Sequence, residues 1–212
     1  LLLDIPDDKM RMDLQPDDDR DATRICVAMA DHPGVFSRFC GALALSGANV
    51  VDARTFTSKD GYATAVFWVQ DADGHPYEDT RLGRLEKMIN DTLQGTVVAR
   101  EEIQSRDKIK KRERAFRVPT SISFDNEGSE IYTIIEVDTR DRLGLLYDLT
   151  RTLASANVNI FSAVIATYGE QVVDTFYVKD VFGLKYHSKT KRDMLEQKLR
   201  DALKQGTLMA IS

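Results

Sequence analysis

The sequence has few of the residues that would mark a secreted or membrane-embedded protein. Its 212 residues include two cysteines, one tryptophan and five prolines. The longest unbroken apolar runs, such as residues 25–30 and 65–69, fall far short of the roughly 18 residues that a membrane helix needs. Cys26 and Cys40 form no C-x-x-C pair, and both occupy apolar positions, so we predict reduced, buried thiols rather than a metal or redox site.

Negative charge is concentrated at the start of the chain. Residues 1–22 contain eight acids and three bases, which account for the whole net charge of −5. This stretch has no periodic apolar face and is predicted to be an acidic linker. Because the sequence begins at Leu1 and shows no signal-peptide pattern, it resembles a piece of a larger cytoplasmic chain, and no membrane partner is expected.

No pattern of catalytic or metal-binding residues stands out. The histidines His32, His75 and His187 lack metal-ligand spacing, and no glycine-rich nucleotide motif follows a strand. Residues 71–74 (DADG) resemble a fragment of a calcium loop, but the other ligands are missing, and a strand-ending turn is the better interpretation. We therefore predict no catalytic residue, metal or cofactor in this chain.

The chain contains one unit twice. With an offset of 110, residues 31–36 (DHPGVF) align with residues 141–146 (DRLGLL), and Asn49 aligns with Asn159. After a one-residue deletion, FWVQD aligns with FYVKD. We place the two units at residues 23–103 and 118–212.

Each unit shows the element order β-α-β-β-α-β. The predicted strands of the first unit are residues 24–30, 49–57, 62–70 and 96–103, and an extra edge strand at 118–124 precedes the second unit, which ends in a strand at 207–211. Two amphipathic helices complete each unit, and Gly95 or Gly206 is predicted to end the second helix. The fold class is α+β: two ferredoxin-like βαββαβ units, each a four-stranded antiparallel sheet with two helices on one face.

Residues 104–117 form a basic linker between the units. Clustered bases could contact nucleic-acid phosphates. The linker has a single aromatic residue, Phe116, and the rest of the chain is nearly neutral. A solvated connector is the favoured interpretation, and no nucleic-acid partner is expected.

The turn between the first strand and first helix of each unit is the strongest candidate site. A glycine, Gly34 or Gly144, allows close backbone approach, and the helix N-terminus after it suits a carboxylate. Asp31 or Asp141 at the head of the turn can receive an ammonium group, so the turn fits a zwitterionic amino acid. On the second strand, Asn49 near the first turn and Asn159 near the second each offer a donor and an acceptor. The alternative is that the aspartates only cap their helices.

At these residues the chain resembles the ACT domain, a small regulatory module that binds amino acids. The longer match, from ADHPGVF through EVDTRDRLGLL to DVFGLK, resembles the C-terminal tandem ACT pair of the bacterial bifunctional uridylyltransferase/uridylyl-removing enzymes. Carried over by position, the resemblance implies a set of ligand-binding residues: Asp31, Pro33, Gly34, Asn49, Asp141, Gly144 and Asn159. The second turn has Leu143 where the first has Pro33, which leaves open whether both units bind equally.

The resemblance also implies a function and partners. It implies that this non-catalytic region senses glutamine, that the parent is a nucleotidyltransferase with phosphodiesterase-type uridylyl-removing activity, and that the parent acts on the PII nitrogen-signalling protein. Magnesium would belong to the upstream catalytic domains. Two alternatives stay open: a ligand-free module that pairs ACT units within or between chains, and a regulatory region of another amino-acid-controlled enzyme.

Overall fold

The computed structural model describes residues 10–30, 34–57, 62–94 and 118–209. The strands are β1 (Arg11–Asp17), β2 (Ala22–Ala30), β3 (Asn49–Thr57), β4 (Tyr62–Gln70), β5 (Ser121–Asp125), β6 (Thr133–Arg140), β7 (Asn159–Tyr168) and β8 (Gln171–Lys179). The helices are α1 (Val35–Ser46), α2 (Asp79–Leu93), α3 (Leu145–Ser155) and α4 (Lys189–Met209). The predicted strand at 96–103 and the basic linker lie outside the described residues.

The eight described strands form one antiparallel sheet in the order β1-β2-β4-β3-β7-β8-β6-β5. The helices pack side by side in the order α2-α1-α3-α4. Along β8, every second side chain is buried, which is the pattern of a strand with one face under helices. The α+β class with two ferredoxin-like units is therefore confirmed.

The two units meet along β3 and β7. Ala53 lies directly opposite Ala163, and these are the residues that the repeat aligns with each other. A contact between equivalent residues is the mark of twofold symmetry, so a pseudo-twofold axis passes through this seam. Across it, the Thr55 hydroxyl donates a hydrogen bond of 2.5 Å to the Ile160 carbonyl. The units are thus two halves of one continuous sheet.

The core lies between the sheet and the helix layer. On β4, Phe67 is fully buried, and its ring packs against Phe36 and Phe39 of α1 with centroid distances of 5.1 and 5.6 Å. Phe176, the equivalent residue of β8, is also fully buried. The apolar face of each predicted amphipathic helix packs on these buried strand residues, and so covers one half of the sheet.

Two predictions about the ends of the units are wrong. Arg11–Asp17, assigned to the acidic linker, form β1 and pair with β2. Residues 207–209, predicted as strand, continue α4 through Gly206. The reason is the same at both ends: β1 and β5 already occupy the edge positions beside β2 and β6, where the last strand of a βαββαβ unit would pair. The predicted edge strand before the second unit is confirmed as β5, which begins three residues later and ends one residue later than predicted.

Smaller expectations have mixed outcomes. The turn at Gly169, with φ 64°, joins β7 and β8 as predicted. Cys40 is buried but Cys26 is only half-buried, and both thiols are free. None of the described helices is both long enough and apolar enough to cross a membrane.

Candidate functional site

A cleft of about 250 Å³ opens between the two units on the helix side of the sheet. The first unit contributes the end of α1 and the start of β3, including Asn49. The second unit contributes the turn between β6 and α3, the first turn of α3, and inward residues of β7 and β8. Its volume lies just below the roughly 300–1,000 Å³ of sites for drug-sized ligands. The cleft suits a small metabolite.

The turn from β6 to α3 places a helix N-terminus at this cleft. The Asp141 N–H donates to the Glu170 carbonyl at 2.9 Å, which ties the turn to the neighbouring hairpin. Gly144 is the N-cap residue, with φ 75° in the left-handed region. The first bond within the helix runs from the Asp148 N–H to the Gly144 carbonyl, and the Leu145 N–H donates to the Arg142 carbonyl at 3.2 Å. The N–H groups of Leu146 and Tyr147 therefore belong to the first turn, which has no acceptor within the helix. Such a terminus attracts an anion.

Asp141 does not occupy the N-cap position of α3, so helix capping does not explain its presence. The N-cap position belongs to Gly144, which makes no side-chain cap bond, and Asp141 lies three residues earlier. Partial desolvation raises the pKa of Asp141, while the backbone N–H and the guanidinium of Arg142 act to lower it. Asp141 as a whole remains exposed, so its carboxyl group can meet a ligand.

Arg142 also lines the cleft, but its guanidinium pairs with Asp148 on the first turn of α3. Its guanidinium donates to Asp148 Oδ2 at 2.5 Å and to the Leu143 carbonyl at 3.2 Å. The side chain is only 6% exposed. The pair with Asp148 holds the guanidinium along the first turn of α3 and thereby fixes the shape of the cleft wall.

Asp174 is a site residue that the sequence interpretation missed. It lies on β8, lines the cleft, and is 1% exposed. Its Oδ1 atom is buried with no hydrogen-bond partner among the described residues. Burial, together with the nearby Asp141 carboxylate, raises the pKa of Asp174 to about 8. One signal could have found it: Asp174 is the acid among the alternate inward positions of β8, and the repeat places Ala65 at the equivalent position of β4.

The asparagines do not pair with the turns of their own units at this cleft. Asn49 of the first unit lines the cleft together with Asp141 and Gly144 of the second, whereas Asn159 is absent from its lining. Asn49 Nδ2 donates to the Asp71 carbonyl at 3.0 Å, and Asn159 Nδ2 donates to the Asp180 carbonyl at 3.3 Å. The cleft is therefore crossed: it joins the turn of one unit to the asparagine of the other.

The turn of the first unit is described only in part. Asp31 and Pro33 lie outside the described residues. Gly34 is the N-cap of α1 with φ 85°, which matches Gly144, but it does not line the cleft. The pseudo-twofold axis makes Asn159 the asparagine equivalent to Asn49, on the side of the first unit's helix start at Gly34.

The described ranges contain no group of three or more His, Cys, Asp and Glu that could hold a metal ion.

Cys40 also lines the cleft. Burial raises the pKa of its thiol, so the thiol is protonated. In the turn after β4, Asp71 Oδ1 accepts the N–H groups of Asp73 and His75 at 3.0 and 3.1 Å. The carboxylate there orders a turn.

Two family models match the chain, one in each unit. An ACT domain family model matches residues 23–81, and an ACR9-like, ACT-like domain model matches residues 121–212. A solved structure, an aspartate kinase from Synechocystis, overlaps 85% of this chain and 27% of its own at 14% identity and a TM-score of 0.41.

Curated relatives share much higher identity. A bifunctional uridylyltransferase/uridylyl-removing enzyme from Ruegeria pomeroyi is 72% identical over 91% of this chain, and one from Cereibacter sphaeroides is 68% identical over 93%. One from Rhodospirillum rubrum is 40% identical over 92%. The chain spans about a fifth of the length of these relatives, 21% in each case. With both halves matched by ACT models, the chain belongs to the ACT domain family and corresponds to one region of the bifunctional uridylyltransferase/uridylyl-removing enzymes.

Proposed function

We propose that this chain is the amino-acid-sensing region of a bifunctional uridylyltransferase/uridylyl-removing enzyme and that its ligand is glutamine. The observation that carries the proposal is the cleft between the two ACT units, where a helix N-terminus lies close to an aspartate carboxyl group. These are the two groups that an amino-acid zwitterion requires. The names of the relatives supply the parent enzyme.

The cleft can orient the ligand at three points. The N-terminus of α3 receives the carboxylate, because its backbone N–H groups and its dipole both favour an anion. Asp141 receives the ammonium group. Asn49 and Thr167, which line the opposite side, present donor and acceptor groups to an uncharged amide side chain. Glutamine fits all three points, whereas glutamate would bring a second negative charge into a cleft that already contains Asp141 and Asp174.

Within the parent enzyme, glutamine binding favours removal of UMP from the PII protein, and its absence favours addition, in the cytoplasmic control of nitrogen metabolism. Catalysis, and the magnesium it uses, belong to other domains of the parent chain. A ligand between two units can act on such domains because it stabilises one arrangement of the seam over another. Coupling of this kind typically amounts to about 1–3 kcal/mol.

A thermal-shift titration of the 212-residue chain tests the proposal. Glutamine at a hundredfold excess over its dissociation constant adds about 2.7 kcal/mol to the free energy of unfolding. For a chain of this size we expect the melting temperature to rise by roughly 5–10 °C. Glutamate, asparagine and D-glutamine serve as matched ligands that each change one feature of L-glutamine.

Two outcomes would contradict the proposal in different ways. A response to another amino acid but not to glutamine would keep the cleft as an amino-acid site and assign the chain to another amino-acid-controlled enzyme. A response to none would favour the ligand-free pairing module. The continuous sheet across β3 and β7 is the observation that keeps this second candidate.

A further inference from the structure

Asp174 is the residue of the cleft that the fold itself does not explain. It lies on β8 between Val172 and Phe176 on the inward face, and both neighbours are buried and apolar. The equivalent residue of the first unit is Ala65, which is paired with the equivalent positions of its neighbouring strands. One unit folds with alanine here, so the architecture does not require the acid.

Burial of this carboxyl group without a partner is unfavourable. Oδ1 is enclosed and makes no hydrogen bond within the described part of the chain, and a buried polar atom without a partner costs free energy. The titratable groups that face Asp174 are Asp141 from the turn and Cys40 from α1. Neither offers positive charge, and the Arg142 guanidinium is bonded to Asp148.

We propose that the carboxyl groups of Asp174 and Asp141, two residues that line the cleft, together bind the α-ammonium group of the amino acid. This inference rests on the proposed function and names the residue that recognises the ligand's nitrogen. An ammonium group brings N–H donors and the positive charge that the surroundings of Asp174 lack. A divalent cation fits less well, because the described residues gather no third acidic or histidine ligand here.

Ligand binding then displaces a proton. Burial and the neighbouring Asp141 raise the pKa of Asp174 to about 8, so the empty site holds a carboxylic acid at neutral pH. The arriving ammonium group favours the carboxylate, and the carboxyl proton leaves to solvent. The ligand keeps its own charge throughout, and one proton is released for each ligand bound.

A double-mutant cycle tests the contact: the carboxyl group is removed from the protein, the amino group is removed from the ligand, and then both are removed together. The protein variants are Asp174→Asn, which keeps the shape, and Asp193→Asn, a control at a surface acid of α4 whose side chain is 56% exposed. The ligands are glutamine and glutaramic acid, which is glutamine without its α-amino group. Dissociation constants are measured by calorimetry at pH 7.

We expect the loss of the ligand's amino group to weaken binding by about tenfold to a hundredfold in the wild-type chain and in D193N. In D174N that preference should fall to the part that Asp141 alone supplies, because only one of the two carboxyl groups remains to meet the ammonium group. A purely structural role for Asp174 would weaken both ligands equally. An undiminished preference in D174N would overturn this inference while leaving the sensor function intact, whereas a wild-type chain that binds no amino acid would overturn both.

The proton count provides a second readout. Glutamine binding is measured at pH 7 in two buffers of different ionisation enthalpy, and the difference gives the number of protons released. We expect a value approaching one per site in the wild type and near zero in D174N. Equal proton release by the two proteins would contradict the assignment of Asp174.

Discussion

The two ACT units share the polar residues that order their turns, but they differ at one buried position of the central strand, which is Ala65 on β4 and Asp174 on β8. Thr23 and Thr133, equivalent in the repeat, each accept the N–H of a tyrosine at 2.8 Å. Asp71 and Asp180, also equivalent, each accept two backbone N–H groups from residues two and four positions later. These polar residues recur because the same turns need them. Asp174 has no such counterpart.

The surfaces of the units differ as well. After β8, Val181 and Phe182 are 60% and 77% exposed, whereas the corresponding positions after β4 are Ala72 and Asp73. The backbone of both turns is the same, because it depends on the preceding aspartate rather than on these side chains. The repeated aspartates Asp71 and Asp180 order the same turn in both units, whereas Asp174, a buried acid on the central strand of the second unit alone, is not explained by the fold.

The largest expected effect is on the pH dependence of stability, and it follows from the presence of Asp174 where the first unit has Ala65. The folded-state pKa of Asp174 is about 8, against an ordinary value of 3.8. Between these values the folded chain binds a proton that the unfolded chain does not, so stability falls as pH rises from about 4 to about 8. The slope is about 1.4 kcal/mol per pH unit, with an upper limit of about 6 kcal/mol over the whole window. Urea unfolding from pH 4 to pH 9 measures it.

The variant D174N isolates this contribution. It should lose most of the slope and exceed the wild type in stability at pH 8. Some slope of the same sign should remain, because burial also raises the pKa of Asp52 and Asp141. Identical pH profiles for D174N and the wild type would show that Asp174 is not the buried acid that sets the second unit apart.

The next effect compares the two helix starts. Gly34 and Gly144 both have positive φ, 85° and 75°, and an L-residue in the left-handed region costs about 1–2 kcal/mol. Among the described residues, the atom nearest to a Cβ at Gly34 would be Ser37 Oγ at 3.7 Å. We expect Gly34→Ala and Gly144→Ala to lose similar stability in urea unfolding, but only Gly144→Ala to weaken glutamine binding in the described cleft. Equal effects on the cleft would remove the distinction between the two turns.

Much of the fold could be predicted from local patterns. The bounds of β3 and β4 match their predictions, because alternating apolar residues and a turn signal fix a strand and its register. The first edge strand could not be predicted, since β1 is polar and half-exposed along its length. The prediction of a strand at 207–211 followed the usual order of the fold and failed because β5 already fills that edge.

The candidate site could be predicted only in part, because it lies between the repeats. Asp141, Gly144 and Asn49 were all predicted, but each asparagine was assigned to the turn of its own unit. The pseudo-twofold packing of the units decides that Asn49 joins the other turn, and no pattern within one unit contains this information. Asp174 is detectable only once the inward face of β8 is known and its repeat partner is seen to be alanine.

The smallest expected effect tests whether Asn49 of the first unit serves the cleft at the turn of the second unit. Asn49→Ala and Asn159→Ala each remove one side-chain bond to a carbonyl, of 3.0 and 3.3 Å, so each should cost about 1 kcal/mol of stability. Their effects on ligand binding should differ, because Asn49 lines the cleft that contains Asp174 and Asn159 does not. Proton release on glutamine binding reports on that cleft alone. It should be reduced at a fixed glutamine concentration in Asn49→Ala and unchanged in Asn159→Ala. The reverse result would mean that each unit binds the ligand with its own asparagine, and the seam between the units would then have no part in recognition.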